Sequence, residues 1–290
     1  MKIERIDAVR CALGEAPVWD PAEQALFLLD IGRSLLLRYA PSDGLLAQWV
    51  TPGPATALAL SEEDTALLAI GNTVQSLNLA TGECTVLATA LDQPREATFN
   101  DGKTDRQGRF LIGSCATDFA NPQPVGGIFR FDPPTGLARV AGDIAQSNGT
   151  CFSPDGHTLY FSDCARSTIY AYDYDVETGA AGRRRVFAST EELGGLPDGA
   201  TVDDAGRLWV AIMRGGKIAA FAPDGTLERT IDLPVSLPGS VMFGGADLDE
   251  LYVTTADTAY FGMPAEGGAG YLYRITGLGV RGLPEARCRL

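Results

Sequence analysis

Histidine is nearly absent: His157 is the one such residue in 290. That excludes HExxH zinc sites, the two-histidine facial triad and any other multi-histidine metal site. A Ser-His-Asp triad would have to draw on the turn Ser153-Pro154-Asp155-Gly156-His157, and His157 reads there as a solvated turn residue. The six cysteines, at 11, 84, 115, 151, 164 and 288, include no CxxC pair. Met1 to Asp7 carry no apolar stretch of signal-peptide type, so reduced thiols and a cytoplasmic location are expected. Cys151 and Cys164 read as buried packing residues on strands. No apolar run approaches the roughly 18 residues that span a bilayer. Positive charge is also short. Lys+Arg number 23 against Asp+Glu 37, a net charge of −14, so neither nucleic acid nor an anionic membrane is expected as partner. No segment carries a convincing amphipathic helix pattern. Any metal here must be held by oxygen.

What the chain does contain is a repeat. A short β-type run, a polar turn and a more apolar β-type run recur six times. The turn and second run read DPAEQALFLLD from 20, SEEDTALLAIG from 61, DRQGRFLIGS from 105, SPDGHTLYFSD from 153, DDAGRLWVAIM from 203 and GGADLDELYVTT from 244. The turns therefore lie 41, 44, 48, 50 and 41 residues apart, which fits the four-stranded blade of a β-propeller. Asp, Gly, Ser and Pro fill the turns, and Leu, Phe, Tyr, Trp and Val the runs, as hairpins require. An all-β, six-bladed propeller forming a single domain over residues 1–290 is expected, with two stacked sandwiches as the alternative. Arg5 to Arg10 would supply the outer strand of the last blade, which removes a sheet edge open to aggregation.

Five residues before each turn stand Glu15, Thr56, Asn100, Asn148, Asp198 and Gly239. Four of the six carry a carboxylate or carboxamide, although strands are depleted in Asp and Asn. In a common register these positions ring the mouth of the central channel, and they read as a convergent oxygen-ligand site. Glu15 and Asp198 bring two negative charges and Asn148 a neutral amide oxygen, a set that suits one divalent ion. Hard oxygen ligands favour Ca²⁺, Mg²⁺ or Mn²⁺, with Zn²⁺ or Fe²⁺ also compatible. Without an ion the two carboxylates would repel and one pKa would rise. Loops after the second runs, at Asp30, Ser114 to Asn121, Asp163, Arg214 and Phe261 to Ala269, are expected to overhang this mouth.

Gly14-Glu15-Ala16-Pro17-Val18-Trp19, Phe99-Asn100-Asp101-Gly102-Lys103, Ser147-Asn148-Gly149 and Pro197-Asp198-Gly199 resemble the signature segments of the senescence-marker protein/regucalcin and gluconolactonase family. Phe243-Gly244-Gly245, Leu251 to Ala256 and Ile275 to Val280 extend the similarity almost to the C-terminus. The resemblance implies a six-bladed propeller with one catalytic divalent metal that hydrolyses sugar-acid lactones. By position it makes Glu15, Asn148 and Asp198 the metal ligands and Asn100 a residue near both substrate and metal. Asp101 follows as in the family motif, and Asp118 falls where the family has an acidic residue contacting sugar hydroxyls. At Thr98 the family usually has arginine, so one substrate arm is missing; Arg95 or Arg214 are candidate replacements. The activity implied is a metal-dependent lactonase in which Asp198 also serves as general base. A small-molecule lactone is then the partner, for a monomer or weak homo-oligomer. A non-enzymatic Ca²⁺-binding scaffold and a phosphotriesterase-like hydrolase are the competing readings.

Overall fold

The computed structural model describes residues 1–62, 64–133 and 135–290. Twenty-four strands form six antiparallel sheets of four; in five of them the strands follow chain order from the axis outwards, and in the sixth the first strand of the chain lies outermost. The innermost strands of blades one to six are Gly14–Asp20, Ala55–Leu60, Ala97–Thr104, Ser147–Phe152, Leu196–Val202 and Pro238–Gly244. Each packs against the inner strand of the next blade, and blade six packs against blade one. This is the six-bladed propeller that the 41-to-50-residue repeat implies. Among the described residues the only helical pieces are four 3-10 turns, so no helix is long and apolar enough to cross a membrane.

The polar turns hold their hairpins through side chains. Asp105 Oδ1 accepts from the Gln107 and Arg109 amides at 2.9 and 2.8 Å, and Asp203 Oδ1 from Ala205 and Arg207 at 3.0 and 2.9 Å. His157 sits in the equivalent turn of blade four, exposed, with its amide on Asp155 Oδ1 at 3.1 Å. Apolar side chains fill the wedges between blades. Phe27, Leu58 and Leu68 pack between blades one and two, and Trp209, Val241 and Phe243 between five and six. At the closure Trp19 of blade one stacks on Tyr252 of blade six, with ring centroids 5.6 Å apart and planes 11° apart. Such a pair adds about 0.5–1.5 kcal/mol beyond the burial of its area. The first strand, Lys2–Arg10, completes blade six by pairing antiparallel with Tyr271–Thr276, Lys2 opposite Thr276.

All six inner strands start on one face of the disc. On the opposite face the C-terminal segment crosses the end of the channel. Gly282 bridges to Asp203 of blade five and Cys288 to Ser61 of blade two. Thr104 Oγ1 donates to the Ala286 carbonyl at 2.6 Å, and Glu285 lies 3.7 Å from Lys103 and 3.5 Å from Arg106. The six cysteines are all unpaired thiols.

Candidate metal centre

Every inner strand breaks register at the same level. The pairing shifts between Glu15 and Val18, Ala55 and Ala57, Asn100 and Gly102, Asn148 and Cys151, Pro197 and Ala200, and Pro238 and Ser240. A bulge adds a residue to one strand, bends it and re-aims a side chain, and bulges gather beside functional sites. Here six of them surround one channel mouth. Ala16, next to Glu15, takes φ 46°, a conformation that costs a non-glycine residue energy, and Gly149 takes φ 59°.

Contacts between neighbouring blades hold the bulges at one height. Thr56 Oγ1 donates to the Phe99 carbonyl at 3.1 Å and Asn100 Nδ2 to the Ser147 carbonyl at 2.7 Å. A Cβ on Gly149 would lie 2.9 Å from the Asp198 carbonyl, and one on Gly199 would lie 2.0 Å from Ser240 Oγ. A Cβ on Gly239 would stand 2.4 Å from Glu15 Oε1. The common register expected of the six positions is thus physical adjacency round the ring, and Gly239 leaves the space that the Glu15 carboxylate occupies.

Glu15, Asp101 and Asp198 are buried, whereas Asn100 and Asn148 are half-buried. Burial pushes the Glu15 carboxyl well above the usual carboxylate range, and the charges of Asp198 and Asp101 push it further. Burial does the same to Asp198, with Asp101 adding to it. Asp101 is also raised by burial, against the opposing pull of the Lys103 ammonium and the Thr150 amide, which donates to Asp101 Oδ2 at 2.8 Å. Three carboxyls therefore share a poorly hydrated space, which two buried anions tolerate only with a cation or a proton between them.

The donor set fits a hard divalent ion. Glu15 and Asp198 offer carboxylate oxygens. Asn148 spends its amide nitrogen on Cys164 Sγ at 3.6 Å, which leaves its oxygen as the atom free to ligate. Among the described residues no three of His, Cys, Asp and Glu converge to hold an ion by themselves.

Other expected site residues lie elsewhere. Asp118 is exposed on the loop after the second strand of blade three, and its Oδ1 closes a turn with the Ala120 and Asn121 amides at 3.1 and 3.2 Å. Thr98 lies two residues before Asn100, its hydroxyl donating to the Gly71 carbonyl of blade two at 3.1 Å. Arg95 and Arg214 are exposed on loops of the same face. Asp30 and Asp163 do not overhang the mouth as expected. Each is buried and accepts the amides of the segment entering its own blade: Ala12 and Leu13 for Asp30, Ala145 and Gln146 for Asp163. Cys164 is not on a strand either; it opens the 3-10 turn Cys164–Arg166. Lys103, which the sequence offers only as part of a motif, is buried in the channel and donates to the Ala200 carbonyl at 2.7 Å.

The family model described as "SMP-30/Gluconolactonase/LRE-like region" matches residues 13–257. The chain belongs to this family. Its relatives include regucalcin of Xenopus laevis, 34% identical over 98% of this chain and 97% of that protein. Pentonolactonase XacC of Haloferax volcanii is 36% identical over 99% of this chain and 98% of that protein. Among solved structures, the calcium-binding protein regucalcin of Agrobacterium tumefaciens superposes with a TM-score of 0.88. That protein is 27% identical, and the match covers 99% of this chain and 97% of it.

Proposed function

We propose that this family member hydrolyses a sugar-acid lactone, an aldonolactone such as gluconolactone, at one divalent ion held by Glu15, Asn148 and Asp198. The observation that carries the reading is the pair of buried carboxyls, Glu15 and Asp198, both pushed up by burial and by negative neighbours beside an amide whose nitrogen is already engaged. A relative that acts on pentonolactones over the whole chain length supports the substrate class. A bound divalent ion supplies Lewis acidity toward the ring carbonyl and lowers the pKa of water.

The chain's own groups do the rest. Asp198, as carboxylate, accepts a proton from the attacking water as that oxygen bonds to the carbonyl carbon. Breaking the ring C–O bond creates a hydroxyl oxygen, which takes the same proton back from Asp198. The product is the open hydroxy acid. Asn100, with one N–H fixed on Ser147, retains an amide oxygen and a second N–H to hold substrate hydroxyls, and Asp101 supplies a further acceptor beside it. Thr98 leaves one wall short and neutral. The test is to strip metal with a chelator and assay an aldonolactone panel with Ca²⁺, Mg²⁺, Mn²⁺, Zn²⁺ and Fe²⁺ returned singly. Hydrolysis that disappears and returns with an ion is expected. Ion binding without turnover of any lactone would overturn the enzyme reading in favour of a binding protein, and turnover of phosphotriesters alone would reassign the substrate.

A further inference from the structure

One proposed ligand, Asn148, and the peptide that precedes another, Asp198, meet at one thiol. Cys164 is buried at the end of the second strand of blade four, and its amide donates to the Gln146 carbonyl at 2.9 Å, which ties it to the segment entering the inner strand. From there the side chain reaches into blade five, where the thiol donates to the Pro197 carbonyl at 2.8 Å. The Asn148 amide approaches the same sulfur at 3.6 Å. A thiol has a single hydrogen, and the Pro197 carbonyl has only lone pairs to offer. The hydrogen is therefore committed to Pro197, and the sulfur meets Asn148 only as an acceptor. That settles the orientation of an amide whose nitrogen and oxygen are otherwise interchangeable in shape. The nitrogen faces the sulfur and the oxygen faces away from it.

We infer that Cys164 is a positioning residue for the metal centre: its one thiol orients the Asn148 amide oxygen and anchors the peptide that precedes Asp198. The inference rests on the reading of Glu15, Asn148 and Asp198 as ligands. It gives the cysteine a directional hydrogen-bonding role in place of simple packing.

The test is Mn²⁺ titration calorimetry on the full-length, chelator-stripped protein and on Cys164→Ala, Cys164→Val and Cys164→Ser, with metal-free melting curves alongside. Partners that orient ligands typically contribute 10- to 100-fold in affinity, so Cys164→Ala and Cys164→Val should bind Mn²⁺ at least about tenfold more weakly, and Cys164→Ser within about threefold of the parent. Valine fills the volume without donor or acceptor, so it carries the test if the alanine variant does not fold. Unchanged affinity in Cys164→Val, or a serine variant as weak as the valine one, would overturn the positioning role. A parent protein that binds no divalent ion would instead overturn the ligand assignment beneath it.

Discussion

Asp198 is asked to do two things, ligate an ion and accept a proton, and the two separate chemically. An amide oxygen in its place still ligates but is not basic. Asp198→Asn should therefore keep most of the metal affinity while kcat falls by about 10²–10⁴, the usual general-base contribution. Glu15→Gln should act through affinity, so that excess metal restores much of its rate. Both are measured at saturating metal and substrate; rescue of Asp198→Asn as complete as that of Glu15→Gln would send the base role to Asp101. Thr98 concerns specificity. Its short hydroxyl is engaged with Gly71, so Thr98→Arg should extend a cation over the mouth and shift the kcat/KM order of a lactone panel toward substrates carrying an extra carboxylate. An unchanged order would show that position 98 does not face the substrate. Oxygen-bearing residues at strand positions were legible because strand propensity disfavours them. The role of Cys164 was not legible, because in linear sequence a buried thiol reads the same whether it packs or orients. Asp30 and Asp163 misled for the related reason that a carboxylate serving backbone amides looks like one serving a ligand.

At the scale of the strand, the site is a row of bulges. Their existence was hidden in the sequence, since an inserted residue does not disturb a turn-to-turn period that already varies between 41 and 50 residues. The glycines beside the bulges carry the consequence. A Cβ at Gly239 would stand 2.4 Å from Glu15 Oε1 and 2.7 Å from the Gly14 carbonyl, so Gly239→Ala must displace the Glu15 carboxylate or its strand. Loss of metal affinity by about tenfold or more, with the β-rich circular dichroism spectrum retained, is the expected result, in line with other groups that orient ligands. Native affinity in this variant would mean that Glu15 does not point where the ligand assignment needs it.

The whole molecule closes twice, once through the strand Lys2–Arg10 on blade six and once through the C-terminal segment across the far end of the channel. The first closure was legible as an unpaired β-type run before the first repeat. The second was not, because residues 277–290 lack strand periodicity and hold on by isolated bridges and the Glu285 ion pairs. Closing the ring gathers the acidic groups on one axis, and that makes stability depend on pH. Folded-state pKa values of Glu15 and Asp198 lie above their unfolded values. The folded state therefore binds protons more tightly, and their stabilising effect is fully present below the ordinary carboxylate range near about 4 and is lost as pH rises through the raised values. The melting temperature of chelated protein should fall as pH rises above the ordinary carboxylate range, with the gap to the metal-loaded form widening as it does so because ion binding favours the charged carboxylates. A gap that does not change with pH would contradict this.

The proposed chemistry requires one divalent ion among Glu15, Asn148 and Asp198. Anomalous diffraction from a crystal of the full chain soaked in Mn²⁺ would locate that ion. One dominant peak is expected at the channel mouth, bonded to a carboxylate oxygen of Glu15, the amide oxygen of Asn148 and a carboxylate oxygen of Asp198. A dominant peak elsewhere, or none at the mouth with all three side chains ordered, would contradict it.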